Sequence, residues 1–77
     1  MSVPYADFIM PKKIRELKSR LAKAGFTSRS GKGGHNIWTH PRWRGRDIVL
    51  SGNDGRDARQ YQEKQVETAV EFVEGNP

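Results

Sequence analysis

Turn residues, more than apolar ones, limit what this chain can become. From Gly25 to Gly55 the sequence is cut into short pieces by Gly31-Lys32-Gly33-Gly34, by Pro41-Arg42-Trp43-Arg44-Gly45 and by Gly52-Asn53-Asp54-Gly55. Glycine reaches positive φ without steric cost and proline fixes φ, so each cluster marks a change of direction. The pieces between them are Phe26–Ser30, His35–His40 and Asp47–Ser51. The first is a weak strand, the second is rich in β-formers and the third is the most apolar. Short strands joined by close turns predict an antiparallel three-stranded meander.

A helix is expected on either side of this meander. Ile14, Leu17, Leu21 and Ala24 recur at helical spacing, while Lys12, Lys13, Arg15, Lys18, Arg20 and Lys23 occupy the other faces. Pro11 suits the first helical position and Gly25 the residue after the last. Downstream, Asp57 with Gln60 fits a capping box, and Tyr61, Val66, Ala69, Val70 and Val73 can line one face of a second helix ending at Gly75. Residues 1–10 show no clear period and contain Pro4, which predicts an irregular N-terminal arm before a single domain over residues 11–75. The expected architecture is α-β-β-β-α, an α+β fold with both helices on one face of the sheet.

A chain of 77 residues leaves little room for a deep pocket. Chemistry, if present, belongs on an open surface and acts on a large, extended substrate. Cysteine is absent, so neither a disulfide framework nor a cysteine zinc site is available. No apolar run approaches a membrane span or a signal segment, and a cytoplasmic location is the default expectation. Charge is uneven. Residues 1–50 carry 11 Lys/Arg against 3 Asp/Glu, a balance of +8, and residues 51–77 carry 3 against 6, a balance of −3. A basic body suggests a polyanionic partner such as nucleic acid; a solubilising surface is the plainer alternative.

The residues able to carry chemistry cluster in the basic half. His35 follows Gly31-Lys32-Gly33-Gly34. Such a turn lets the backbone N–H groups of Gly33 and Gly34 approach an anion, and Lys32 adds a point charge. An imidazole there suits proton transfer beside a phosphate, and RNA supplies its own nucleophile in the 2′-hydroxyl. The same residues also read as a polar group at a hairpin mouth. Arg42, Trp43, Arg44 and Arg46 interleave an aromatic with guanidinium groups. Trp43 could stack on an unpaired base or close the edge of a small core. Arg29 adds charge to the same region. Trp38, in mid-strand, reads as core. His40 is five residues from His35 and therefore on the other strand face, and with no third ligand nearby the pair makes a poor metal site. No metal site and no cofactor are expected.

Three stretches together resemble the HicA family of type II toxin–antitoxin systems. They are "MPKKIRELKSRLAKAGF", "GKGGHNIWTHP" and "SGNDGRDARQYQEKQV", and the likeness runs from Met10 to about Val73. The resemblance implies a fold like the double-stranded-RNA-binding domain and an mRNA endoribonuclease with one essential histidine, His35 here. With His35 in that role, Lys32, Arg29 and Arg44 are expected to stabilise phosphate charge. The resemblance also implies a HicB-like antitoxin partner that covers the active face and can build a higher-order assembly. The chain departs from the family pattern at Gly34, where the motif has serine, and in the residues before Met10. Two rival readings remain: an RNA-binding module without catalysis, and a subunit that acts only through its protein partner.

Overall fold

The structure, a computed structural model, describes residues 12–51 and 53–75. The expected N-terminal arm and Pro11 lie outside the described residues. Along the chain come α1 (Ile14–Lys23), β1 (Thr27–Ser30), a 3-10 turn (Lys32–Gly34), β2 (Asn36–Thr39), β3 (Ile48–Leu50) and α2 (Gln60–Gly75). The three strands form one antiparallel sheet in the order β1-β2-β3, the meander that the turn residues predict.

The first helix begins later than Pro11. Lys13 stays extended at the N-cap with φ −84° and ψ 155° and offers no side-chain cap. The unpaired N–H groups of the first turn are met instead from across the molecule. Ile14 N–H donates to Arg56 O at 2.9 Å and Arg15 N–H to Asp54 O at 3.2 Å. Lys13 and Asp57 form an antiparallel bridge, and Ala58 N–H donates to Lys12 O at 2.7 Å. This pairing holds the backbone before Ile14 extended. The helix closes as Gly25 predicts. Gly25 takes φ 97°, its N–H reaches Ala22 O at 3.0 Å, and Phe26 N–H reaches Leu21 O at 3.0 Å. Those paired bonds satisfy the last carbonyls and turn Phe26 into the core beside Leu21.

The second helix also starts late, at Gln60, three residues beyond its expected cap Asp57. Gln62, not Gln60, reaches back, and its Oε1 accepts the Arg59 N–H at 2.7 Å. Asp57 is occupied elsewhere, by Lys13 Nζ at 2.6 Å. The buried face therefore runs through Gln62, Val66, Ala69, Val70 and Val73. Tyr61, expected on that face, is 66% exposed. One core joins Ile14, Leu17 and Leu21 of α1, the inner α2 residues, and Trp38, Ile48 and Leu50 of the sheet. Burying each large aliphatic side chain contributes roughly 1.5–3 kcal/mol. The Trp38 indole N–H is buried there with no hydrogen-bond partner among the described residues.

Alternation then assigns the sheet faces. Trp38, Ile48 and Leu50 point at the helices, so Arg29, Ile37 and Val49, paired in register across the strands, share the opposite, open face. One step further along the hairpin, Gly31 N–H donates to His35 O at 2.8 Å, which puts His35 at the end of that face.

The basic and acidic halves of the chain meet in three ion pairs among the described residues. Lys13 pairs with Asp57, Lys18 with Asp54 at 2.7 Å, and Arg20 with Glu67 at 2.7 Å. Glu63 accepts the Lys12 N–H. Asp54, Asp57 and Glu67 thus pair with two cations of α1 and with its N-cap lysine.

Candidate functional site

Two consecutive left-handed glycines shape the turn before His35, with φ 65° at Gly33 and 77° at Gly34. A side chain at either position would strain the backbone. The chain returns to extended geometry at His35, with φ −81° and ψ 150°. Its backbone N–H and its ring both engage the Lys32 carbonyl, the ring through Nδ1 at 2.8 Å. A carbonyl oxygen can only accept, so Nδ1 carries the proton of this bond. In the neutral ring the lone pair then resides on Nε2. The imidazole lies over Gly33, where an added Cβ would stand 3.6 Å from Nδ1.

His35 borders an open groove between the sheet and the start of α2. Arg46, Asp47, Val49 and Ser51 form one wall, and Tyr61, Gln62 and Gln65 form the other. Of the residues singled out in the sequence, His35 and Arg46 meet in this groove. Lys32, Gly33 and Gly34 are the turn that presents His35, and Arg29 lies on the same open sheet face. Arg44 is exposed in the connection between β2 and β3. None of Arg29, Lys32, Arg44 and Arg46 makes an ion pair among the described residues. These four cations without an ion pair thus lie in the turn, on the open sheet face and in this connection.

Arg42 and Trp43 do not line the His35 groove. Arg42 Nη1 donates to Val73 O at 3.3 Å, where a cation near the C-terminal end of α2 also meets the helix dipole. Trp43 is half-buried against the core; its Nε1 donates to Arg46 O at 3.1 Å and its ring meets Phe72 edge-on at 5.5 Å. Of its two sequence readings, this geometry matches closure of the core edge. His40 matches its structural reading: Nδ1 accepts the Arg42 N–H at 2.9 Å and the ring lies against Phe26, centroids 5.0 Å apart.

Sequence reasoning did not find Asp47, Ser51, Tyr61, Gln62 and Gln65 as neighbours of His35. One signal was present. Gln62 is the residue spaced at four, seven, eight and eleven from Val66, Ala69, Val70 and Val73, and choosing it as the inner residue turns Tyr61 outward. Among the described residues no three His, Cys, Asp or Glu side chains form a group that could hold a metal ion, and no helix is long and apolar enough to cross a membrane. Comparison with protein-family models, with curated proteins and with solved structures gave no match.

Proposed function

We propose that this chain is a HicA-like RNA endonuclease, the toxin of a toxin–antitoxin pair, with a fold like the double-stranded-RNA-binding domain. One observation carries the reading: His35, its Nδ1 committed to the Lys32 carbonyl, borders an open groove beside the unpaired cation Arg46. That tautomer leaves Nε2 able to accept a proton. In the reaction Nε2 takes the proton of an RNA 2′-hydroxyl, and the oxygen attacks the adjacent phosphorus. The P–O5′ bond breaks, leaving a 2′,3′-cyclic phosphate. The departing 5′-oxygen takes a proton from the imidazolium or from water. Lys32, Arg29, Arg44 and Arg46, with the N–H groups of Gly33 and Gly34, offset the charge that builds on the phosphorane.

The test is cleavage of a single-stranded RNA by the parent chain and by His35→Ala. The variant is expected to lose cleavage while keeping its thermal unfolding profile, because the side chain is exposed. Products are expected to end in a cyclic or 3′-phosphate, also in excess chelator. Full activity of His35→Ala, or 3′-hydroxyl ends, overturns the mechanism. RNA bound but never cut favours the non-catalytic module.

The same cations are the proposed docking surface for a HicB-like antitoxin of acidic character, which would exclude RNA by competition. Association should slow as salt rises, since charges are screened over about 8 Å at physiological ionic strength. Hydrogen exchange on the complex is expected to show protection over residues 29–46. Protection confined to the chain after Asp57, with the His35 turn open, contradicts this.

A further inference from the structure

Tyr61 has no role in the chemistry above, yet it borders the same groove as His35. Its side chain is 66% exposed, more than Phe72 at 45% or Val49 at 44%. A single exposed aromatic is ordinary; its setting is not. Tyr61 stands between two hollows. One holds His35 and Arg46, the other Trp43 and Lys64, and Gln65 belongs to both. Neither Arg46 nor Lys64 forms an ion pair among the described residues. The far wall is stiff, because Trp43 is held by Arg46 O and Phe72.

We propose that Tyr61 is a base-stacking platform for a nucleotide next to the scissile phosphate of a single-stranded RNA. This rests on the RNA-cleavage reading and extends it to a subsite. An aromatic side chain flanked by two free cations matches the alternation of base and phosphate along a strand. A base in a duplex is already stacked on its neighbours, so only an unpaired one can use the platform. Arg46 and Lys64 then hold the phosphates on either side, and the strand runs from His35 along α2 toward Trp43.

Binding of a non-cleavable 2′-fluoro RNA oligonucleotide, followed by fluorescence anisotropy, tests the platform without needing turnover. Tyr61→Leu is expected to raise Kd by at least about fivefold, and Tyr61→Trp to stay within about twofold of the parent, since the gain from stacking follows the ring. Oligonucleotides lacking one base at successive positions complete a cycle. At one position, loss of the base should weaken the parent and leave Tyr61→Leu unaffected. If the parent binds no RNA, the nuclease reading and the platform both fall. If the parent binds and Tyr61→Leu binds equally well, the platform falls and the nuclease reading stands. Losses that simply add at every position also overturn stacking. So does unchanged RNA affinity with weakened antitoxin binding, which assigns Tyr61 to a protein contact.

Discussion

Arg20 clasps Glu67 through two hydrogen bonds, Nε to Oε1 at 2.9 Å and Nη2 to Oε2 at 2.7 Å. The pair ties α1 to α2 and joins the basic half of the chain to the acidic half. The hydrogen bond from Arg20 holds the Glu67 carboxyl below its ordinary range, and the same bond raises the Arg20 guanidinium.

A group whose proton is bound less readily in the folded chain contributes stability above its unfolded value and loses it as acid titrates the folded state. Both side chains are more than one-third exposed, at 42% and 46%, so the contribution is discounted to about 0.2–1 kcal/mol. Glu67→Gln is therefore expected to lower stability by that amount at neutral pH and to flatten the fall in stability on acidification below the ordinary carboxylate range. Urea unfolding at several pH values measures both. An unchanged acid limb would show that the clasp is not formed in solution.

Gly34 has a φ of 77°, a backbone conformation that glycine adopts without strain. A Cβ at Gly34 would meet nothing within 4 Å, so substitution brings backbone strain without a clash. Gly34→Ser is expected to cost about 1–2 kcal/mol, with Gly34→Asn cheaper because asparagine tolerates the left-handed region. For a domain this small each kcal/mol moves the melting temperature by roughly 4–8 °C. A serine variant as stable as the parent would mean that the turn has another conformation.

Gly45 lies against the indole of Trp43, and a Cβ there would stand 2.4 Å from Cζ2. The ring cannot swing away without giving up Phe72 and the Arg46 carbonyl. Gly45→Ala is expected to destabilise by about 1–3 kcal/mol. In a Trp43→Phe background the smaller ring leaves space, and the second substitution should cost clearly less. Additive losses in thermal unfolding would contradict the contact.

The parts of the fold legible in the sequence are those written in local patterns. Ile14, Leu17 and Leu21 announce α1, and the glycine and proline clusters announce the order of the sheet. The starts of both helices were not legible, because their partners are distant. Ile14 and Arg15 are capped by carbonyls of Arg56 and Asp54, and Asp57 is drawn from a capping role to Lys13. The candidate site divides in the same way. His35 and its turn are contiguous in sequence. Arg42 looks like its basic neighbours until the fold brings Val73 O within reach, and Tyr61 meets His35 only after α2 returns to the sheet.

The connection between β2 and β3 is fastened along its length. His40 Nδ1 holds the Arg42 N–H, Arg42 holds Val73, and Trp43 holds the Arg46 carbonyl. Arg44 and Arg46 therefore stand on a preorganised arm whose backbone is ordered before any anion arrives. An anion meeting it restricts side-chain torsions alone, not a loop, and so forfeits less entropy on binding. The fastenings fix the backbone from which Arg44 and Arg46 project, and each guanidinium reaches an anion through its own torsions.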